Sequence, residues 1–329
     1  MRTTTRGSVL AAVTLGARPR SAPVGITVYG CDPDEAALFE QIAAEHGVVP
    51  TTTSAPASAT GVVRVPANRC VSVSHHQVVT GEVLRALRDA GADLLCTRSI
   101  GIDHIDLVAA EALGIEVANV RYAPDGVADH TVMLVLMALR GAKDTITAGV
   151  AADRWQGRRG RDLRDLTVGV VGVGRIGAAV VQRLRGFGCR VVACDAGRSA
   201  AAGLDRVPLD ELLRSCDVVT LHVPLTPATR HLIGRAEIEQ MKDGAVLVNT
   251  ARGGLVDTVA LVSALQRRKL GGAALDVLEG DVEVRQRLQE MPNAIVTPHV
   301  AYFTERTLGD TVRQTIERCL DHARSRADA

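Results

Sequence analysis

Leu166-Thr167-Val168-Gly169-Val170-Val171-Gly172-Val173-Gly174-Arg175-Ile176-Gly177 reads as an apolar strand that stops at a Gly-x-Gly-x-x-Gly turn and restarts as a helix. Gly172 allows the tight turn, Gly174 lets a pyrophosphate approach the backbone, and Gly177 lets the helix pack closely on the sheet. The helix N-terminus then faces the phosphates. Taken alone, the same pattern also fits a glycine-rich βα turn that binds nothing. The flanks decide between the two. A helix over Arg175–Phe187 leads into a second apolar strand, Cys189–Cys194, which ends on Asp195, 18 residues beyond Gly177. That is where a ribose-binding carboxylate belongs. The stretch therefore predicts a dinucleotide site.

Working outward, the same half continues strand by strand: Val168–Val171, Arg190–Cys194, Val218–His222, Ala245–Asn249, Ala273–Asp276 and Ala294–Thr297. Helices are expected between them near Arg175–Phe187, Leu209–Ser215, Arg235–Met241 and Thr258–Leu270, the pattern of a six-stranded doubly wound sheet. Upstream, strands are expected at Gly25–Tyr29, Cys70–Ser74, Asp93–Thr97 and Glu116–Val120, with a further apolar run at Val62–Val65. Helices are expected over Asp32–His46, Thr80–Ala90 and Leu107–Leu113, and Thr51–Thr60 reads as a loop of small residues. Alternation without hairpin signals argues for parallel strands joined by helical crossovers. Pro124 and Gly126 precede a long apolar helix, Val127–Ala148, and mark a junction; Glu305–Ala323 is a helix that can return to the first half.

The expected class is therefore α/β, with two doubly wound parallel-sheet domains and a substrate cleft between them. A discontinuous, flavodoxin-like substrate domain would span residues 25–123 plus 301–329, and a Rossmann NAD-binding domain residues 124–300. Residues 1–24, with Arg2, Arg6, Arg18 and Arg20 and no acid, are expected to be a disordered leader; a targeting segment is the alternative. The charged stretch Ala151–Asp165, which holds Trp155, reads as a solvated arm or an oligomer contact.

Composition narrows the class of partner. Lys plus Arg (38) balance Asp plus Glu (37), so no strong field favours nucleic acid or an anionic membrane. No apolar run is long enough to span a bilayer. Aromatic residues are 2%, so Ala, Val and Leu must fill the core. Seven scattered cysteines without a Cys-x-x-Cys pair suit a reducing cytoplasm better than a disulfide framework or a zinc site. No metal is expected.

Three stretches at strand C-termini can carry chemistry, because ligands of open α/β sheets sit at that edge. Leu221-His222-Val223-Pro224-Leu225-Thr226-Pro227 makes a stiff loop that can wall a cofactor, with His222 more a packing residue than a catalyst. Val248-Asn249-Thr250-Ala251-Arg252-Gly253-Gly254 presents Arg252, whose planar guanidinium can hold a carboxylate through two parallel hydrogen bonds. Thr297-Pro298-His299 presents a histidine that can exchange protons if a carboxylate from Asp276–Asp281 steadies it. A cation for an oxo-acid, a proton carrier and a dinucleotide together specify hydride transfer to the carbonyl carbon of a 2-oxo acid.

These motifs, in this order and spacing, resemble the D-isomer-specific 2-hydroxyacid dehydrogenases from about Gly25 to Ala323. Ile26–Cys31, Val71–His75, Thr97–Gly101, Gly271–Gly280 and the tail around Thr304–Leu320 are similar to the D-lactate dehydrogenases of glycopeptide (vancomycin-type) resistance. The resemblance implies reduction of pyruvate to D-lactate in the cytoplasm by a homodimer. The product would pass to a D-Ala-D-Lac ligase for cell-wall precursors. It implies Arg252 as the substrate-carboxylate residue and His299 as the acid in reduction and base in oxidation. Ile100 and Gly101 would offer backbone amides to the carboxylate, and Tyr122 would lie over the substrate.

The cofactor would meet Gly172, Gly174, Arg175, Ile176, Gly177, Asp195, Val223, Pro224, Thr250, Ala251 and Asp276. Asp195 favours NAD because it would repel a 2′-phosphate, while nearby Arg198 leaves NADP open. One departure stands out. The family's carboxylate partner of the histidine is a Glu at the position of Asp281, and an insertion that follows it is missing. Either Asp281 reaches His299, or Glu279 substitutes, or the histidine is poorly supported. Two alternatives stay open: a dehydrogenase for a bulkier or hydroxylated 2-hydroxy acid, and a catalytically weak, NAD(H)-sensing binding protein.

Overall fold

A computed structural model describes residues 23–62, 68–148, 159–197 and 203–327. The expected leader, apart from Pro23 and Val24, most of Val62–Val65, residues 151–158 of the charged arm with Trp155, and Arg198 lie outside the described residues.

The first unit runs β1 (Val24–Val28), α1 (Pro33–His46), β2 (Val48–Thr52), β3 (Cys70–Val73), α2 (Gly81–Asp89), β4 (Leu94–Thr97), α3 (Leu107–Ala112) and β5 (Glu116–Asn119). Its strands are all parallel in the order β2-β1-β3-β4-β5, with Ile26 opposite Cys70 and Cys70 opposite Leu94. This is the flavodoxin-like order. β2 is not expected from the sequence: Thr51 and Thr52 belong to the expected loop of small residues, and Val48–Pro50 fall in no expected element. It survives as an edge strand bonded to β1 alone, the one place where a missing N–H can face away from the ladder.

α4 (Asp125–Leu139) and α5 (Ala142–Ala148) then lead into the second unit. One continuous helix was expected over Val127–Ala148. It breaks at Gly141, whose φ of +57° is left-handed and ends the hydrogen-bonded turn.

The second unit comprises β6 (Thr167–Val171), α6 (Arg175–Gly186), β7 (Arg190–Cys194), β8 (Asp205–Arg206), α7 (Leu209–Ser215) and β9 (Val218–Leu221). It continues through α8 (Arg235–Gln240), β10 (Ala245–Asn249), α9 (Thr258–Gln266), β11 (Leu270–Leu275), α10 (Val282–Glu290) and β12 (Ala294–Val296). The order is β12-β11-β10-β9-β6-β7-β8, all parallel. Seven strands replace the expected six. The extra one, β8, is two exposed residues long and carries no apolar pattern by which to find it.

Packing follows composition. Both faces of the second sheet are covered by Val, Leu and Ala, in one cluster around Leu221, Leu247 and Leu275 and another around Val170, Val180 and Val248. α11 (Glu305–Ala327) returns to the first unit, where Val312, Ile316 and Cys319 pack with Ile26, Val28 and Phe39. Two connections thus cross between the units, after β5 and before α11. Val120, Tyr122, Val127 and Ala301 bury each other where these connections meet.

Candidate active site

The order of the second sheet reverses between β6 and β9, and the glycine turn lies at that switch point. Each glycine has its own steric reason. Gly172 has φ +88°, and a Cβ there would sit 2.7 Å from Val223 Cγ1 and 2.8 Å from the His222 carbonyl. A Cβ on Gly177 would come 2.0 Å from the Gly172 carbonyl oxygen. Gly174 faces open space and caps α6 without a side chain, so the first amides of that helix are presented to whatever approaches.

The other expected cofactor residues take up positions around that turn. Asp195 follows the end of β7, its carboxylate 3.8 Å from Arg206 Nη2. Val223 packs over Gly172, and Pro224, Thr250 and Ala251 line the same cavity. Thr250 Oγ1 is 2.8 Å from Thr131 Oγ1 in α4, which donates onward to the Val127 carbonyl. Arg175 donates 2.8 Å to the Tyr122 carbonyl, tying α6 to the crossing connection; Ile176 packs beside it. His222 is hydrogen-bonded to Thr220 Oγ1 at 3.0 Å, and burial pulls its pKa down to about 4. It is a neutral wall of the turn.

Arg252 follows β10 in a loop shaped by Asn249. That side chain accepts from the Ala251 amide at 3.0 Å and donates to the Arg252 carbonyl at 2.8 Å. The guanidinium lies against Gly101, where a Cβ would be 1.7 Å from Arg252 Nη2. Arg252 Nε donates to both oxygens of Asp103, at 2.9 and 3.2 Å, and Nη1 to the Ala251 carbonyl at 2.8 Å. Sequence reasoning missed Asp103. Its signal was an acid two residues beyond the amides expected to meet a carboxylate.

The backbone around Ile100 and Gly101 is held in turn by side chains. Asn119 Nδ2 donates to the Ile100 carbonyl at 2.7 Å, and Ser99 Oγ to the Gly101 carbonyl at 2.7 Å. Tyr122 is buried beside them, and burial raises its pKa, so it stays a neutral phenol.

His299 follows β12 with φ +58°, a backbone state that is uncommon outside glycine. Asp276 explains how it is kept there. Its buried carboxylate accepts from Thr297 Oγ1 at 2.5 Å and from the Val300 and Ala301 amides at 2.9 Å each. Its carbonyl accepts from the His299 amide at 2.9 Å. Asp276 therefore clamps the loop that carries the histidine, and it also lines the cavity. Burial lowers the His299 pKa to about 4; Asp276 opposes the shift and Arg252 adds to it.

Neither expected carboxylate partner is brought to His299. Asp281 is the N-cap of α10, accepting from the Val284 amide at 2.9 Å. A carboxylate in that position satisfies an otherwise unpaired helix amide and is spent there. Glu279 is hydrogen-bonded to His231 Nε2 at 2.5 Å and ion-paired with Arg230. The residues that follow, Val282–Glu290, form this short capped helix. Rings do approach His299: His75 at 4.4 Å between centroids and His76 at 5.7 Å, both from the loop after β3.

All these elements converge on a cavity of about 640 Å³ between the units. Ile100, Gly101, Tyr122, Arg252 and His299 line it together with Gly174, Arg175, Val223, Thr250 and Asp276. A doubly wound sheet with a glycine turn at its switch point, opening on a cavity that holds Arg252 and His299, defines a dinucleotide-dependent oxidoreductase.

Comparison with known proteins narrows this class. The sequence model for the D-isomer specific 2-hydroxyacid dehydrogenase, NAD binding domain, matches residues 132–301. A D-specific alpha-keto acid dehydrogenase of Enterococcus faecalis is 51% identical over 317 residues, covering 92% of this chain and 98% of the relative. The solved D-lactate dehydrogenase from Aquifex aeolicus, complexed with NAD and lactic acid, superposes with a TM-score of 0.82 at 29% identity, over 92% of this chain and 96% of that one. The NAD-complexed D-isomer specific 2-hydroxyacid dehydrogenase from Lactobacillus delbrueckii ssp. bulgaricus gives 0.76 at 29% identity, over 92% and 98%. The chain belongs to the D-isomer specific 2-hydroxyacid dehydrogenase family, and its cofactor is NAD. No helix among the described residues is long and apolar enough to cross a membrane.

Proposed function

We propose that this oxidoreductase reduces pyruvate to D-lactate, with the D-lactate passing to a D-Ala-D-Lac ligase in the cytoplasm. The observation that carries the reading is the position of Arg252, close against the Gly101 backbone in the same cavity as His299. A 2-oxo acid carboxylate would take the guanidinium together with the Ile100 and Gly101 amides, and its carbonyl oxygen would then face His299. NADH, when bound, supplies the hydride. His299 supplies the proton in reduction and removes it in oxidation, and Tyr122 closes the apolar side of the site.

Without substrate, His299 is neutral at pH 7 and is set to accept a proton. An anionic substrate offsets the Arg252 charge that helps to hold the imidazole neutral, and so favours proton uptake as the site fills. Asp195 supports NAD over NADP, since a 2′-phosphate would face its carboxylate. A homodimer is the assembly this reading carries with it.

The test is steady-state NADH oxidation with a panel of 2-oxo acids, compared by specificity constant. Pyruvate is expected to lead. A bulkier oxo acid in first place would keep the reaction and change the substrate. Arg252→Ala and His299→Ala should each lower kcat/KM by about 10² to 10⁴-fold. A second reading, an NAD(H)-binding protein with little turnover, draws on the placement of Asp281 and Glu279 away from His299. NADH binding without oxidation by any 2-oxo acid would decide for it.

A further inference from the structure

Three histidines meet at the mouth of the cleft. His75 and His76 come from the loop after β3 in the first unit, and His299 from the loop after β12 in the second. One ring nitrogen from each lies within 4.8 Å of those of the other two. The His75 and His76 centroids are 3.8 Å apart, and those of His75 and His299 4.4 Å. His75 Nε2 is buried and has no hydrogen-bond partner. A buried imidazole nitrogen left in that state loses its hydration and gains nothing in return, so it is a position that a ligand would satisfy.

The hydride-transfer reading uses His299 and leaves His75 and His76 without a task. Three imidazoles with converging nitrogens form a donor set suited to Zn²⁺ and its neighbours in the first transition row. Tetrahedral bonds of about 2.0–2.1 Å place the donor atoms about 3.3 Å apart. The three rings need to close by about 1.5 Å at most to reach that spacing, a movement within reach of side-chain rotation because His76 is exposed.

We propose that His75, His76 and His299 form a binding site for a divalent zinc-class metal ion that bridges the two units and silences the dehydrogenase. The ion takes the lone pair on His299 that must otherwise carry the reaction's proton. It also ties the loop after β3 to the loop after β12 across the cleft. A fourth position stays open for water or a carboxylate, as in three-ligand zinc sites. The inhibitory consequence rests on the dehydrogenase reading above. The binding itself does not.

The experiment uses the full chain, with Zn²⁺ titrated against a chromophoric chelator and Co²⁺ followed by its visible absorption. The wild type should bind one ion per chain and give the intense bands of tetrahedral Co²⁺. His75→Ala and His76→Ala should each weaken binding at least tenfold and lose those bands. His76→Ala should oxidise NADH at the metal-free wild-type rate, yet need at least tenfold more Zn²⁺ for half inhibition. Unchanged affinity in both variants, or equal Zn²⁺ inhibition of wild type and His76→Ala, would overturn the site. If the protein turns over no 2-oxo acid, the chelator titration and the cobalt spectrum still decide the metal site alone.

Discussion

The glycine turn after β6 and the histidine loop after β12 sit at the same edge of one sheet, and opposite means hold them in place. The turn is shaped by what is missing. Side chains at Gly172 and Gly177 would strike the His222 carbonyl and the Gly172 oxygen, so the backbone alone defines the turn. The histidine loop is shaped by what is added. One buried carboxylate, Asp276, gathers a hydroxyl and two amides and holds His299 at a positive φ. A conformation stored this way persists only while its partners do. The two histidines repeat the contrast, since burial alone makes His222 neutral, whereas His299 also answers to the charges of Asp276 and Arg252.

The sharpest way to break the comparison is Asp276→Ala. It strands the Val300 and Ala301 amides and takes one partner from the Thr297 hydroxyl, and should cost about 3 kcal/mol or more in denaturant unfolding. Misplacing His299 should lower kcat about 10²-fold. A variant with wild-type kcat would show that the clamp is irrelevant to catalysis.

Next come the two glycines. Gly177→Ala meets a backbone oxygen and should cost about 1–3 kcal/mol together with most of the NADH affinity. Gly174→Ala faces open space, and its melting temperature should stay within a degree or two of wild type while NADH binding weakens. Equal melting temperatures for both variants would mean that the turn is not sterically locked.

His222 supplies a pH signature for the turn. Its folded pKa, about 4, lies below the ordinary value of 6.5, so the unfolded chain takes up the proton first as pH falls. The stability that this group contributes is complete above pH 6.5 and is lost between pH 6.5 and 4. Between pH 7.5 and 5 the loss should be about 2 kcal/mol. Denaturant melts of His222→Asn at the two pH values should show a correspondingly smaller drop than wild type, and parallel drops would remove burial as the cause.

The smallest effect is expected at Asp281→Ala. A lost N-cap should cost about 1 kcal/mol, with kcat within twofold of wild type. A collapse of kcat would instead restore Asp281 as the histidine's partner.

The contrast also explains what the sequence disclosed. Glycines demanded by close backbone approach leave a spacing, and that spacing with Asp195 makes the nucleotide half readable in the sequence itself. Arg252 and His299 were legible because each follows an apolar strand into a loop. Their supports were not. Asp103 acts through a hydrogen bond made only by folding, 149 positions from Arg252, and Asn249 through bonds within its own loop, while Asp276, expected as a cofactor neighbour, gave no sign of its clamp on the histidine loop. Asp281 misled for the same reason in reverse, because a carboxylate at the expected position found a nearer donor in its own helix. Among the elements, β2 was obscured by Pro50 and β8 by its brevity, both at sheet edges where burial writes little pattern into the chain.

The return of α11 to the first sheet has a bearing on the order in which the molecule takes shape during synthesis. The first sheet is translated first, but the face that receives Val312, Ile316 and Cys319 stays bare until those residues emerge. By then every strand of the second sheet, down to Val296, has already been made. The earlier half of the polypeptide thus depends for the completion of its core on residues made after the whole of the second sheet.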